Sequence, residues 1–417
     1  MPAQRQPGLR IWLGGKPLDR LSDFVLQLEV DERSDEASTF RMTVDMSPID
    51  AEETGDWDAI EHGAFAELHA LPQLYLLQRV TIEFSLASDD EAEPAIASTV
   101  FDGYVTCVEP VFGEYRVPDS RLILSGIDAS CLMHFETVTR EWHGRTDAEI
   151  ATEIFGKYGF AADDTTVETT TPKRELDRST LVQRCTDAEF LRMLARRNGF
   201  EVFVEPVDGE VAAGAHPGRT VKGYFRSPAV DAAVQPTLAL FPRDAPSLMD
   251  FRAKWESHQP THVRAWTIDE ASRRIERADI TAPGYARLGD FDRARILDQR
   301  LGEIFATGTR PDPVDIQSAD VPHDSLDLTH LARADYRVAD WLVTGTGTVR
   351  AERYPAIVRS RRPIELAGAG HLLDGRWYMA GVRHRWGIDP DRPEEEQVER
   401  RYEPDVTMVR NGLGGIG

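Results

Sequence analysis

Cysteine, long apolar runs and positive charge are all scarce in this sequence, and each scarcity excludes a class of protein. The three cysteines, Cys107, Cys131 and Cys185, show no CxxC or Cys/His spacing. An odd number of cysteines without metal-ligand spacing predicts buried, reduced thiols and synthesis in a reducing cytoplasm. No apolar run reaches the roughly 18 residues of a membrane helix, and Met1–Asp19 lacks the apolar segment of a secretory signal. We therefore expect neither stable membrane insertion nor Sec-dependent export.

The chain carries 48 Lys and Arg against 71 Asp and Glu, which gives a net charge of −23. This balance argues against specific nucleic-acid binding, which requires clustered basic residues. Only five of the basic residues are lysines, so most of the positive charge lies on guanidinium groups suited to defined ion pairs and interfaces. The acidic residues cluster in four runs that we expect to be solvated loops: Asp31–Glu36, Asp50–Asp58, Asp89–Glu93 and Asp389–Glu399.

Standard signatures of catalysis are absent from the sequence. It contains no GxxxxGK(S/T), GxSxG or HExxH motif. Gly345-Thr-Gly347 begins like a dinucleotide-binding loop, but Arg350 occupies the position of its third glycine. His258 and His262 are four residues apart, but a proline between them argues against one helix that presents both to a metal. We predict no catalytic residues, no cofactor and no metal site.

Alternation of apolar and polar side chains predicts strands through the first 130 residues. The segments Phe24–Val30 and Phe40–Met46 are typical of a hairpin with one buried face. Further strands are predicted at Val80–Leu86, Thr99–Phe112 and Arg121–Asp128. Five or six antiparallel strands in a segment of this size favour a closed or nearly closed barrel, because an open sheet has to protect its edges. We assign residues 1–130 to this first barrel.

Two identical capping motifs predict a pair of short helices. Thr146–Glu149 and Thr186–Glu189 both read Thr-Asp-Ala-Glu, in which Thr accepts from the backbone three residues on and Glu reaches back to the cap. Each helix ends at a glycine suited to the left-handed conformation, Gly159 and Gly199. Their apolar stripes carry no candidate catalytic group, so we expect them to serve packing. The pair defines an insertion at 131–207.

A second β-rich region occupies 208–388 and contains a helical insertion at about 285–342. Its predicted strands include His262–Ile268 and Trp377–Trp386, and the second of these follows Asp374-Gly375, a residue pair typical of type I′ turns. The predicted fold class is therefore α+β and mainly β.

Two blocks of sequence give the chain a resemblance to a known family. The first runs from Leu122 to Glu205 and contains LILSGIDAS, WHGRTDAEIATEIFGKYGF and STLVQRCTDAEFLRMLARRNGFEVFVE. The second runs from Leu331 to Gly387 and contains AERYPAIVRSRRPIELAGAGHLLDGRWYMAGVRHRWG; VRAWTID, at Val263–Asp269, lies between them. In this order the segments resemble the late-control D proteins, the central baseplate hub of contractile phage tails. They also resemble the hub portions of VgrG-type spikes and of contractile injection systems.

The resemblance implies both a fold and a function. It implies two tube-like antiparallel β-barrels with α/β insertions, the second barrel at 208–388, and a homotrimer whose six barrels form a ring with pseudo-sixfold symmetry. Such a ring adapts a sixfold inner tube, or its initiator protein, to a threefold spike, contacts other baseplate components and has no enzymatic activity. The expected location is a virion tail or an injection particle that assembles in the cytoplasm. Since the sequence ends soon after the second block, we expect the spike to be a separate protein.

The sequence leaves several points open. The tail, 389–417, is acidic and then rich in glycine, and we expect it to be mobile until it binds a partner. The net charge suggests an acidic lumen that repels phosphate, although solvated outer loops account for it equally well. Two alternatives to the hub are a cell-envelope hydrolase associated with a tail and a surface-binding β-domain protein. Phage, prophage remnant and dedicated injection system are not distinguished.

Overall fold

The computed structural model of the chain is mainly antiparallel β-sheet with few helices, which confirms the predicted fold class. The structure describes residues 5–17, 24–45, 76–88, 95–111, 121–171, 181–207, 221–241, 246–268, 273–309, 311–312, 314–316, 325–387 and 401–414. Within these ranges the helices are α1 (Asp147–Lys157), α2 (Asp187–Asn198), α3 (Arg293–Ile304) and α4 (Ser325–Asp340). The strands are β1 (Arg5–Leu13), β2 (Lys16–Pro17), β3 (Val25–Arg33), β4 (Thr39–Asp45), β5 (Arg79–Ser88), β6 (Ile96–Val111), β7 (Arg121–Asp128), β8 (Thr137–Trp142), β9 (Leu181–Thr186), β10 (Glu201–Pro206), β11 (Val221–Arg226), β12 (Gln235–Ala239), β13 (Leu248–Trp255), β14 (His262–Ile268), β15 (Ile275–Ile280), β16 (Val314–Ile316), β17 (Val343–Val349), β18 (Pro363–Ala367), β19 (Gly375–Gly387) and β20 (Arg401–Arg410).

One sheet of 13 strands runs through the molecule. Its strand order is β13-β17-β20-β19-β3-β4-β7-β6-β5-β1-β2, with β18 paired to β19 and β12 paired to β18. All these pairs are antiparallel except β12–β18. Strands β3 and β19 lie side by side in the middle of the order, although most of the chain separates them. The sheet therefore has an N-terminal half and a C-terminal half that meet at one strand pair.

The two halves have the same strand order. Without the two-residue β2, the N-terminal half contains β1 and β3–β7, and the C-terminal half contains β12, β13 and β17–β20. When each set of six is numbered along the chain, both halves read 2-3-6-5-4-1 across the sheet. The outermost pair differs in direction, since β1–β5 is antiparallel and β12–β18 is parallel. The chain thus contains one sheet architecture twice.

Fine backbone features are repeated as well. A β-bulge follows Val105 in β6 and another follows Met379 in β19. Leu77 and Arg361 both have a left-handed φ, +67° and +62°. The backbone N–H of Leu77 donates to the carbonyl of Val105 at 2.7 Å, and that of Arg361 donates to the carbonyl of Met379 at 2.7 Å. These features align Leu77 with Arg361 and Val105 with Met379, which fixes the correspondence between the halves residue by residue.

Each half of the sheet has its own hydrophobic core. In the N-terminal half the core includes Phe84 and Phe101, and in the C-terminal half it includes Trp377. Two inserted segments add further cores. Between the halves, helices α1 and α2 share one with the strand pairs β8–β9 and β10–β11, and it contains Phe155 and Phe190. Within the C-terminal half, between β13 and β17, α4 packs on β14 and β15. The domain boundaries at 130, 207 and 388, the tube-like barrels and the trimeric ring stay predictions.

The structure confirms the helix pair and both capping boxes. At α1 the Thr146 hydroxyl accepts from the backbone of Glu149 at 3.1 Å, and the Glu149 carboxylate accepts from the backbone of Thr146 at 2.8 Å. The same two bonds occur at the start of α2, which ends at Gly199 in the left-handed region. The helices are tied together by Asn198, whose side-chain amide donates to the Asp147 carboxylate at 2.7 Å. Both helices therefore serve packing.

Three predictions were wrong. The cysteines were expected to be buried, but only Cys131 is; Cys107 is exposed and Cys185 is partly exposed. In the run Asp31–Glu36, expected to be a solvated loop, residues 31–33 end strand β3, and Glu32 is 1% exposed. In the tail, expected to be mobile, Arg401–Arg410 form β20, which lies between β17 and β19 and buries Tyr402 and Met408. In both places an apolar alternation typical of a strand was hidden by neighbouring acidic residues. The other three acidic runs lie outside the described residues.

Candidate functional site at the junction of the sheet halves

The junction of the two halves is a ladder of seven residue pairs between β3 and β19, from Gln27–Gly387 to Arg33–Gly381. Behind it lies the loop that precedes β18. The loop residues Arg359, Ser360 and Arg361 are 2%, 0% and 1% exposed, which is unusual for two arginines and requires that their charges be compensated. This junction is the most densely charged buried region of the described part of the chain.

Glu32 is the centre of the charged network. Its carboxylate lies 2.9 Å from Nη2 of Arg359 and accepts from Nε of Arg359 at 3.0 Å and from the backbone N–H of Ser360 at 3.2 Å. Burial favours the neutral acid, but the charge of Arg359 and the neighbouring His384 outweigh it and hold the pKa of Glu32 well below its usual range. The carboxylate is therefore ionised. It links β3 of one half to the loop of the other.

An aromatic stack extends the network into the N-terminal core. Burial lowers the pKa of His384, so that its imidazole is neutral near pH 7. Its Nδ1 lies 2.7 Å from the hydroxyl of Tyr402 and its Nε2 lies 3.5 Å from the Glu32 carboxylate. Phe84 of the N-terminal half stacks on Tyr402 with ring centroids 4.4 Å apart. The two halves thus share aromatic as well as ionic contacts.

Arg361, in the same loop as Arg359, contacts the turn that follows β3. Its guanidinium donates to the carbonyl of Arg33 at 3.0 and 2.5 Å and to that of Glu36 at 3.1 Å, so it satisfies the backbone of the turn after β3. It also lies over the ring of Phe203 at 4.2 Å, which brings β10 into the same network. Glu205 of β10 lies 3.8 Å from Arg361. The junction therefore joins three parts of the chain, namely both sheet halves and the inserted hairpin.

A cleft of about 1060 Å³ lies on the polar side of the same junction. Its floor is formed by β3, β17, β19 and β20, and its walls include the C-terminal ends of α2 and α4. Glu201 lies in one wall and accepts a hydrogen bond of 2.6 Å from the hydroxyl of Tyr378. Burial raises the pKa of Glu201 to about 7, although the bond from Tyr378 opposes the shift. A carboxyl that changes charge near neutral pH is the one feature of the cleft that resembles a catalytic acid.

The polar face of the sheet carries charges of alternating sign across the junction. Arg383 pairs with Asp31 at 3.3 Å, and Arg385 pairs with Asp405 at 2.9 Å and with Glu403 at 3.8 Å. Each of these pairs joins neighbouring strands and is partly exposed, so each is worth about 1 kcal/mol or less.

Residues 94–387 match the protein family described as the Alg8 N-terminal domain. The chain belongs to this family. None of the curated proteins matches it in sequence. In fold it is similar to the tail protein of Neisseria meningitidis MC58, with a TM-score of 0.54, 11% identity and 98% of each chain covered. It is similar to the 43 kDa tail protein of prophage MuSo2 from Shewanella oneidensis, with a TM-score of 0.55, 11% identity, and 97% of this chain and 99% of that chain covered.

A third similar structure is the Francisella PdpA–VgrG complex in its half-lidded form, with a TM-score of 0.51 and 9% identity. The match covers 99% of this chain and 59% of that chain. Identities this low show a shared fold. As a likeness of fold, the three matches confirm the resemblance to baseplate hub and VgrG-type proteins.

The structure also locates the residues that the sequence offered as candidates for chemistry. Gly345 and Gly347 lie within β17, where a Cβ at Gly345 would come within 2.9 Å of Phe251, so close packing accounts for the glycine. His262 lies on β14 with Asp312 at 3.5 Å, while His258 lies in the exposed turn before that strand. Among the described residues no three His, Cys, Asp or Glu side chains form a potential metal site. No helix in the described ranges is long and apolar enough to span a membrane.

Sequence reasoning missed the junction residues. Glu32 stands in an acidic run, and Arg359 and Arg361 stand in an arginine-rich loop, so composition alone makes all three appear solvated. One usable signal was present. Glu32 continues the alternation of Leu28 and Val30, which places it on the buried face of β3.

Proposed function

We propose that the protein is the structural baseplate hub of a contractile phage tail or of a related injection particle. In this proposal three copies form a ring, one face of the ring receives the inner tube or its initiator, and the other receives the spike. The chain acts as an adaptor and performs no chemical reaction. Each sheet half is one of two tube-like barrels, the first at 1–130 and the second beginning at 208 and completed by β20 (Arg401–Arg410), and the helix pair at 131–207 is an insertion beside the first.

The duplicated strand order is the observation that carries this proposal. A chain with two similar halves presents six similar units when three copies assemble, and it still has only threefold symmetry. A protein of this design can match a sixfold partner on one side and a threefold partner on the other. The fold similarity to phage tail proteins and to the VgrG complex supports the same class of particle.

The buried junction supports a role in which the two halves keep one fixed orientation. A buried ion pair contributes little net stability compared with apolar packing, but it is satisfied in only one geometry. Glu32 belongs to the N-terminal half, and Arg359 and Arg361 belong to the C-terminal half. Their contacts are all made only when the two halves keep this orientation. A hub benefits from such a fixed angle, because the angle between units sets the diameter of the ring.

The proposal is tested by mixing the purified chain with tube and spike proteins from the same organism. Mass photometry is expected to show a trimer, and cryo-EM of the mixture is expected to show the trimer between tube and spike. A chain that stays monomeric and binds neither partner would contradict the hub.

The cell-envelope hydrolase remains the alternative with a specific residue to test. Glu201 is the residue on which it depends, because its pKa is about 7 and it lies in the cleft. The hub proposal expects no hydrolysis of peptidoglycan by the wild type, and the same result for Glu201→Gln. Hydrolysis that Glu201→Gln abolishes, in a protein that still assembles, would favour the enzyme.

A further inference from the structure

Within the described residues, two of the free strand edges of the 13-stranded sheet belong to β13 and to the end of β6. Strand β13 ends the sheet and, within the described residues, pairs with β17 alone. Strand β6 pairs with β5 through Ile96–Tyr104, and its last residues, Cys107–Val111, pair within the described chain with β7 alone. An exposed edge presents unpaired N–H and C=O groups and is a natural site for another strand.

These two edges correspond to the two strands that meet at the internal junction. In the N-terminal half, Tyr104 of β6, Ile127 of β7, Thr39 of β4 and Asp31 of β3 form one row across the sheet. In the C-terminal half, the equivalent row is Tyr378 of β19, Val409 of β20, Thr344 of β17 and Lys254 of β13. Strand β13 is therefore the equivalent of β3, and β6 is the equivalent of β19.

We propose that β13 of one copy pairs antiparallel with the end of β6 in a second copy and so repeats the β3–β19 junction between chains. The inference rests on the proposed ring of copies and gives its interface. The register follows from the internal ladder, in which Asp31 lies opposite Arg383 and Arg33 lies opposite Gly381. Since the repeated bulges align Glu109 with Arg383 and Cys107 with Gly381, Lys254 lies opposite Glu109 and Glu256 lies opposite Cys107.

Charge agrees with this register. At the internal junction the acid is on β3 and the base on β19, as Asp31 and Arg383, which lie 3.3 Å apart. At the junction between copies the signs are exchanged, with Lys254 on β13 and Glu109 on β6, and the pair is again complementary. In the single chain Lys254 pairs with Glu256 at 2.8 Å, and both side chains are more than half exposed, so this pair can rearrange at low cost.

Exposed apolar side chains lie where the proposed junction needs them. Leu77 is 46% exposed and Leu76 is 64% exposed, although their equivalents, Arg361 and Ser360, are buried. Trp255 is 52% exposed, although its equivalent in the ladder, Glu32, is 1% exposed. Large apolar side chains exposed along a free edge indicate a surface that is covered in the assembly. The junction between copies thus replaces the buried ions of the internal junction with apolar contacts.

The geometry generates a ring. The two edges differ, so the contact is head to tail, and such contacts form a closed ring or an open filament according to the angle between units. Because the contact repeats the internal one, each new unit turns by the same angle, as a ring of six half-sheets requires. Pro110 has no backbone N–H to donate, whereas His384 at the equivalent position has one. Proline is common in edge strands, where the missing donor limits unspecific pairing.

A single substitution tests the register, because the chain already carries a cysteine on one side. Directly opposed residues of an antiparallel pair have Cα atoms about 4.5–5.5 Å apart, within reach of a disulfide. Glu256→Cys is therefore expected to form disulfide-linked dimers and trimers through the exposed Cys107 of the next copy under mild oxidation. Glu256→Cys combined with Cys107→Ser is expected to lose them. Arg252→Cys is the matched control, since it is exposed on the same strand but lies opposite Val111 and is too far from Cys107.

The outcomes separate this inference from the proposed function. If the wild type assembles and Glu256→Cys gives no more cross-linked product than Arg252→Cys, the pairing is wrong while the hub stands. If the wild type is a monomer even with tube and spike proteins present, the hub proposal itself fails, and the inference with it.

Charge reversal provides a second measurement on an intact fold. Lys254→Glu and Glu109→Lys are each expected to raise the dissociation constant of the assembly by about 3- to 30-fold, because each places like charges opposite one another. The double variant is expected to recover most of the loss. If both single variants weaken assembly equally and the double variant weakens it by the sum of their free-energy effects, the proposed register is wrong.

Discussion

Replacement of Arg359 by Met is expected to destabilise the protein strongly, because it leaves the Glu32 carboxylate buried without its main counter-charge. The two residues are 2% and 1% exposed, so water cannot take the place of the guanidinium. Removal of one partner of a buried ion pair costs about 3–5 kcal/mol. Arg359 also donates to the hydroxyl of Ser98 at 3.1 Å and to the carbonyl of Thr99 at 2.9 Å. We expect the free energy of unfolding near pH 7 to fall by about 3–5 kcal/mol.

The pH dependence of this loss identifies its cause. In the wild type the folded-state pKa of Glu32 is below the ordinary 4.5, so its contribution is complete above pH 4.5 and is lost as the pH falls through the folded-state value. In Arg359→Met we expect burial to dominate and to raise the pKa of Glu32 above its ordinary value. The variant is therefore expected to be most destabilised at neutral pH and to recover stability, relative to the wild type, as the pH falls through this raised value.

Urea denaturation of the wild type and the variant at about pH 5 and about pH 7.5 measures both effects. The double variant Glu32→Leu and Arg359→Met is expected to be more stable than Arg359→Met alone, because no buried charge is left. Arg300→Met is the matched control, since Arg300 is 68% exposed in its ion pair with Glu303 and is expected to change stability by less than about 0.5 kcal/mol. Arg359→Met values that match the control at both pH values would refute the reasoning.

Three further predictions concern other parts of the chain. Thr146→Ala and Thr186→Ala are each expected to lower the free energy of unfolding by about 0.5–2 kcal/mol through the lost cap, without loss of assembly on mass photometry. The folded-state pKa of Glu201 is raised from 4.5 to about 7, so its protonated form stabilises the fold, and this stability is lost as the pH rises from 4.5 through 7. Glu201→Gln is therefore expected to flatten the dependence of the free energy of unfolding on pH over that interval, as measured by urea denaturation. An unchanged slope would contradict it. Deletion of the residues after Gly387 removes β20 from between β17 and β19 and is expected to give insoluble protein, whereas a soluble, cooperatively unfolding product would show that β20 is dispensable.

Local signals in the sequence predicted much of the fold. The capping boxes beginning at Thr146 and Thr186 and the terminal Gly199 act over a few residues, so α1 and α2 appear where they are predicted. Alternation placed β3 to β7 in a similar way. Strand β20 was missed although its apolar residues also alternate, since the acidic run before it and the glycines after it suggested a solvated tail.

The candidate site could not be predicted in the same way, because it depends on contacts across most of the chain. Glu32 and Arg359 are separated by 327 positions in the sequence. Nothing near either residue indicates that the other will neutralise it, and each alone is most simply read as a surface charge. The duplicated strand order was equally hidden. Its two copies are interrupted at different points, by α1 and α2 between the halves and by α4 within the second, and equivalent positions such as Leu77 and Arg361 differ in chemistry.

That difference in chemistry follows from the way the two kinds of junction form. The halves of one chain are covalently linked, so their effective concentration is high and the internal junction need not supply free energy for association. It can therefore use Glu32, Arg359 and Arg361, whose desolvation costs about as much as their attraction returns but which define one orientation. A junction between copies has to overcome the lost freedom of separate molecules. Leu76, Leu77 and Trp255 suit that task because burial of apolar surface supplies net free energy.

On this argument, exchange of Leu77 for Arg is expected to weaken assembly without affecting the fold of the monomer, since Arg occupies the equivalent left-handed position at 361. Mass photometry against concentration measures the first effect and urea denaturation the second; a destabilised monomer that assembles normally would contradict it.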